Sequence, residues 1–354
     1  MKYKKSRRHA GRGIQAMLLS ALMILLLFCG AGCRTSLPEK LQGSEREQEN
    51  KLNVVTTLFP YYDFLRQIAG DKIELTLVLP AGMDSHSFEP TPADMITIQN
   101  ADLLVSNGGE MEQWLSRVLN SFNSTYRQPG RVIAMMDYVE IAEEEIMEGM
   151  EAETHDHGEH VGEMNAHGGT DTDDHEVEIE YDEHIWTSPV NAINLLKVLT
   201  AELSTADPDN AEFYEKNAQE YEKELSALDE ELRSIVKEGK TKLIVFGDKF
   251  PLRYFFDEYG LEYRAAFTGC STDTEPSAKT IAYLIDKVRS EQLSAVYYLE
   301  LSSHRVADII GEETKAEPLL FHSCHNVTRR EFDAGITYLK LMEQNAINLR
   351  KGLN

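Results

Sequence analysis

Basic residues are scarce: 35 Lys and Arg stand against 60 Asp and Glu in 354 residues, a formal net charge of −25. A surface of that sign repels a phosphate backbone and excludes nucleic acid as a partner. Cysteine is rarer still, with four in the chain. No His-Glu-x-x-His helix occurs, since His175-Glu-Val-Glu-Ile breaks it, and no Gly-x-Ser-x-Gly turn, so two common hydrolytic signatures are missing. The longest apolar run, 14–28, is shorter than the ~20 residues that span a bilayer. Apolar residues are not lacking. At 42% apolar and 27% charged the chain is ordinary globular material, long enough for about two domains, which excludes a disordered protein.

The acidity is concentrated. Residues 137–183 hold 19 of the 60 acidic residues, no Lys or Arg, and five of the 11 histidines. At the other end, Lys2, Lys4, Lys5, Arg7, Arg8 and Arg12 precede the apolar run 14–28, which Gly30, Ala31 and Gly32 follow. That order is a cleaved secretory signal over 1–32. Small residues ahead of Cys33 resemble a bacterial lipoprotein box, with Gly30 where Leu is usual, so Cys33 is expected to carry a lipid anchor. A polar stretch, 33–51, reads as a tether. Cys29 leaves with the signal, and Cys270 and Cys324 remain in an oxidising setting where one disulfide is expected. The alternative is that Cys324, inside His322-Ser-Cys-His325, is a thiolate metal ligand.

Apolar periodicity predicts strands at 52–57, 73–79, 102–106 and 131–135, then at 242–246, 261–267, 295–299 and 318–321, with helices between them. Strand–helix–strand repeats indicate parallel sheets. Thr91 and Pro92 form a helix start, and a final helix is expected over 330–351. After Pro208, apolar residues at Phe213, Tyr214, Tyr221, Leu225, Leu228, Leu232 and Ile235 predict a helix of about 30 residues, some 45 Å long, able to join two lobes. The expected architecture is α/β: an N-terminal lobe (52–205, with the acidic His-rich loop 143–183) and a C-terminal lobe (241–354). Each holds a four-stranded, mainly parallel sheet flanked by helices, and a long rigid helix (206–238) joins them. Ligands of such sheets bind beyond the carboxyl ends of the strands, here at a shared cleft.

Histidines stand at those ends. His86 follows the second strand, His184 closes the acidic segment, and His322 and His325 follow the last strand. Neutral imidazoles from separate loops are the ligand type that gathers zinc and similar divalent ions. Glu300 and Asp63 are candidate acceptors for a ligand's distal nitrogen, or else solvated or salt-bridged carboxylates. In the loop, His155, His157, His160, His167 and His175 lie among carboxylates, a composition suited to weak multi-site zinc capture rather than to a core.

Four segments together resemble the zinc and manganese class of extracytoplasmic solute receptors of bacterial ABC importers: Gly82-Met-Asp-Ser-His-Ser-Phe-Glu-Pro-Thr-Pro92, Asn100-Ala-Asp-Leu-Leu-Val-Ser-Asn-Gly108, His184-Ile-Trp-Thr-Ser-Pro-Val-Asn191 and Tyr259-Gly-Leu261. The resemblance covers most of the chain from Leu52 and implies two lobes on a rigid helix, with metal ligands at His86 and His184. Two further ligands are implied after the first and last strands of the second lobe. There this sequence departs, with Gly247 at the first position and Asp248 beside it, and Phe321-His-Ser-Cys-His-Asn-Val-Thr328 at the second. At least one of His322 and His325 is expected to bind, His325 preferred, with Asp248 as competitor. Loss of a carboxylate and gain of nitrogen favour Zn²⁺ over Mn²⁺.

The expectation is thus a lipid-anchored or periplasmic monomer that captures Zn²⁺ outside the membrane and passes it to the membrane permease of an ABC importer, without catalysis. The alternatives are a manganese or iron receptor of the same class and a secreted zinc hydrolase. A surface adhesin would need exposed aromatic or repeat-rich segments, which are absent.

Overall fold

The computed structural model describes residues 51–122, 127–150, 180–269 and 275–354. The expected signal and Cys33 anchor, Cys270 and the five loop histidines lie outside them. The first sheet holds β1 (Leu52–Thr56), β2 (Ile73–Leu77), β3 (Leu103–Ser106) and β4 (Arg131–Ala134), all parallel, in the order β2-β1-β3-β4. Val54, Val55, Leu103, Leu104 and Val105 are buried on both faces, as expected of parallel strands covered by helices. These helices are α1 (Phe59–Ala69), α2 (Pro92–Gln99) and α3 (Gln113–Ser121). Thr91 and Asp94 form a reciprocal capping box at the start of α2, with Pro92 in its first turn.

After α4 (Pro189–Ala206) comes the long helix α5 (Ala211–Glu238), 28 residues. Of its expected apolar stripe, Tyr214, Tyr221, Leu225, Leu228, Leu232 and Ile235 are buried, whereas Phe213 is exposed. It packs on α1 and α4 of the first half and on α6 (Arg253–Tyr259) and α10 (Tyr338–Gly352) of the second.

The second half contains β5 (Leu243–Val245), β6 (Glu262–Arg264), β7 (Ala295–Tyr298) and β8 (Glu317–Leu320), with α7 (Ala278–Ser290), α8 (Arg305–Thr314) and α9 (Arg329–Asp333). Two parallel ladders, β5–β6 and β7–β8, are joined by the parallel bridge Phe246–Tyr297, where the Gly247 amide donates to the Tyr297 carbonyl at 2.9 Å. The order β6-β5-β7-β8 therefore repeats that of the first sheet. Each half has its crossover switch between its first and third strands, and the chain leaving those strands faces a common cleft.

The expected final helix is two helices. Gly335, at φ +71, breaks it, and side chains of α1 satisfy the exposed backbone: Arg66 donates to the carbonyls of Ile336 (2.7 Å) and Gly335 (3.2 Å), and the Tyr338 amide donates to Asp63 at 2.7 Å. Asp63, fully buried, also accepts from Arg66, Gln67 and Tyr221. It ties the two halves together and orients no imidazole. The expected disulfide is likewise corrected: Cys324 is a free thiol inside the apolar core, and burial pushes its ionisation well above the usual range.

Candidate metal centre

Three histidines sit in the same local device. Asp84 accepts from the His86 amide (2.9 Å), Asp182 from the His184 amide (2.8 Å) and the Ser323 hydroxyl from the His325 amide (3.2 Å). In each, a short side chain closes a turn onto the residue two positions on. The turns bring the rings together: centroids lie 6.5 Å apart for His86 and His184, 6.2 Å for His86 and His325, and 5.8 Å for His184 and His325. With Zn–N near 2.0–2.1 Å, three imidazoles on one tetrahedral ion have centroids about 5 Å apart. Among the described residues no three His, Cys, Asp or Glu close on a point as they stand; the rings must draw in by roughly 1 Å to share an ion.

His184 is the most firmly held. It is 1% exposed, and its Nδ1 lies 3.1 Å from Asp182 Oδ1, a pairing that puts the proton on Nδ1 and turns Nε2 outward. Burial pulls its pKa down, but the charge and hydrogen bond of Asp182 outweigh this and hold it above the usual histidine value. His325 is the opposite case. Burial first, and then the charges of His184 and His86, push its pKa down to about 3, so it is neutral. Its Nε2 lies 2.7 Å from the hydroxyl of buried Ser85. Trp186, fully buried, packs against both His184 and His325, with centroids 5.5 Å away in each case, and its indole N–H donates to the Ser323 carbonyl at 2.9 Å.

Of the other candidates, His322 faces the interior. It is 3% exposed, its amide and carbonyl are both bonded to Asn345, and its Nδ1 accepts from the Cys324 amide at 2.9 Å. That bond holds Cys324 in the left-handed region (φ +61), the bend that turns His325 into the cleft. Asp248 lines the cleft, with its oxygens committed to the amides of Lys249 (2.9 Å) and Leu299 (3.2 Å). At Gly247 a Cβ would lie 2.7 Å from the Ala307 backbone nitrogen in α8, so the closely packed helix leaves no room for a side chain there. Glu300 accepts from the Ser323 amide (2.8 Å) and hydroxyl, and so braces the turn carrying His325.

Sequence reasoning did not single out Ser85, Trp186, Asp182, Lys249 or Asn326. Asn326 donates to the carbonyls of Pro80 and Met83, both at 2.8 Å, stapling the His325 loop to the His86 loop. The recurring acceptor two residues before each of the three converging histidines is a signal the sequence did carry. The acidic segment leaves and returns through an antiparallel pairing, Glu143 with Tyr181, and the Asp182 amide donates to the Ala142 carbonyl at 2.9 Å. Its root therefore stands next to His184. Among the described residues, no helix is long and apolar enough to cross a membrane.

The family model for the periplasmic zinc-uptake complex component A, ZnuA, matches residues 54–352. Over 336 residues the chain is 32% identical to the high-affinity zinc uptake system protein ZnuA of Bacillus subtilis, covering 95% of this chain and 96% of that one. It is 31% identical over 308 residues to the zinc-binding lipoprotein AdcA of Streptococcus pneumoniae, covering 87% of this chain but 57% of AdcA. Among solved structures, the metal-dependent lipoprotein YcdH of Bacillus subtilis superposes with a TM-score of 0.66 at 31% identity, and the Zn(II)-bound ZnuA-like domain of Streptococcus pneumoniae AdcA with 0.66 at 28%. Each comparison covers 86% of this chain and 99% of the other.

Proposed function

The chain belongs to the zinc-uptake complex component A family of solute-binding receptors, and from that premise we propose that it captures Zn²⁺ outside the cytoplasmic membrane and delivers it to the permease of an ABC importer. The observation that carries this reading is the convergence of His86, His184 and His325 from both halves of the chain. Zn²⁺ is the cargo and leaves unchanged; the family is one of receptors, not enzymes. All three donors are neutral nitrogens, a set that suits zinc better than the oxygen-rich shells preferred by manganese.

Binding proceeds by a small contraction. Asp182 presents His184 Nε2 without a tautomer search. Low basicity keeps His325 neutral, so it yields no proton when the ion arrives. Ser85, Asn326 and Trp186 connect the loops across the cleft, and α5 packs on both halves. Loop shifts of about 1 Å, not a wide lobe closure, therefore assemble the site. The acidic His-rich segment rooted beside His184 raises the local ion concentration and passes metal inward. A lipid on Cys33 tethers the receptor, a monomer, at the membrane face.

The deciding experiment is competition titration with zinc of the protein carrying His86→Ala and His184→Ala together. Affinity is expected to fall by more than about a thousandfold; an unchanged affinity refutes the site.

A further inference from the structure

The cleft holds more than an ion. A cavity of about 430 Å³ opens from His86, His184 and His325 toward Lys249, Ser302 and Arg305. With a liquid water occupying about 30 Å³, it has room for on the order of ten to fifteen non-hydrogen atoms, within the range of small-molecule sites. A zinc ion with one or two waters leaves most of that volume unused.

Among the described residues the donors also fall short. Three imidazoles leave the fourth position of a tetrahedral zinc to be filled, and the carboxylates nearby are engaged. Asp84 holds the His86 amide, Asp248 the amides of Lys249 and Leu299, Glu300 the Ser323 turn, and Glu275 pairs with Arg305 at 3.3 Å. Gly247, beside the cavity, has no space for a donor. Lys249 is the reverse: among the described residues this cavity-lining ammonium has no carboxylate within ion-pair distance. It lines the same cavity as His86, His184 and His325. For a bare dication, an unpaired ammonium beside the ligands is a repulsion without return; for an anionic ligand on that dication it is the counter-charge.

We infer that the cleft receives zinc together with a small carboxylate-bearing chelator, of the hydroxycarboxylate or amino-acid type. One donor of the chelator completes the coordination begun by the three histidines, and its carboxylate pairs with Lys249. The inference rests on the zinc-receptor reading and names the form in which the ion arrives.

The test is equilibrium dialysis of the full metal-free chain with Zn²⁺ alone, and with Zn²⁺ plus radiolabelled citrate or, separately, radiolabelled L-histidine. One labelled molecule is expected to be retained per chain when zinc is present, whatever further zinc the acidic segment takes up, and none without zinc; which of the two is retained identifies the ligand type. Lys249→Gln is expected to lower that retention about tenfold, the loss of one charge-assisted hydrogen bond, while tightening the binding of zinc alone by removing a like charge. A merely structural lysine would weaken both. Stoichiometric zinc with neither label retained overturns this inference and leaves the receptor intact, as does label retention indifferent to Lys249→Gln for the role of that residue. Failure of zinc itself to bind overturns the receptor reading.

Discussion

The two halves of the molecule share a strand order but hold their proposed metal ligands differently. His86 and His184 each sit on an Asp-x-His turn closed by the residue two positions earlier. His325 uses a similar turn, but that turn is shaped from a distance: Glu300 beyond β7 braces Ser323, Asn345 of α10 fixes His322, and Trp186 of the first half holds the Ser323 carbonyl. Short-range turns survive changes elsewhere in the chain, whereas a ligand placed by three remote elements depends on the whole fold. The second half has also closed one route to a ligand, because α8 packs against the backbone of Gly247.

The sharpest test of this contrast is His325→Ala. It should weaken zinc by more than the roughly 10–100-fold that loss of an orienting partner costs, while His322→Gln, measured in the same titration, should cost less because His322 acts only through the bend at Cys324. Equal losses would mean that His322 is a ligand. Next in size, Asp182→Asn should weaken zinc about 10–100-fold; a smaller loss would show that the first-half turn holds His184 without its carboxylate.

Gly247→His asks whether the second half can accept a ligand at the position where the sequence resemblance implied one. The clash with the Ala307 backbone predicts destabilisation of about 1–3 kcal/mol, seen as a fall in Tm of the metal-free protein, with no gain in affinity. Tighter zinc would show that α8 yields.

The smallest expected effect is the difference between the two halves in pH response. Because His184 has a raised pKa, zinc affinity should begin to fall while the pH is still above 6.5, whereas His325 competes with a proton only near pH 3. Stability of the metal-free protein follows opposite signs at the two residues. The His184–Asp182 pair stabilises below the unfolded histidine pKa and loses its contribution as pH rises through the folded value. His325 contributes above about 6.5 and loses its contribution as pH falls toward about 3. Asp182→Asn should move the onset of zinc loss to lower pH, and an onset that stays in place refutes the assignment.

Much of the fold was legible because its signals are local. Buried strands read as apolar runs, Thr91 and Pro92 mark the start of α2, and the stripe from Tyr214 to Ile235 identifies the long helix. The break between α9 and α10 was missed: Gly335 is its only strong local mark, and the partners that stabilise it, Arg66 and Asp63, lie some 270 residues earlier. Asp63 stayed open between an imidazole acceptor and a salt-bridged carboxylate for the same reason, since a carboxylate in sequence carries no sign of which partner it will meet; the structure pairs it with Arg66 and the start of α10.

Sequence alone determined that imidazoles stand after strand ends in two α/β halves, because strand periodicity and the Asp-x-His and Ser-x-His spacings act within a few residues. Tertiary structure alone decided that His325 joins His86 and His184 while His322 turns inward, that Gly247 can bear no ligand, and that Lys249 faces the cavity with no ion-pair partner among the described residues. Those outcomes depend on helix packing, burial and charge at distances along the chain over which neighbouring residues have no influence.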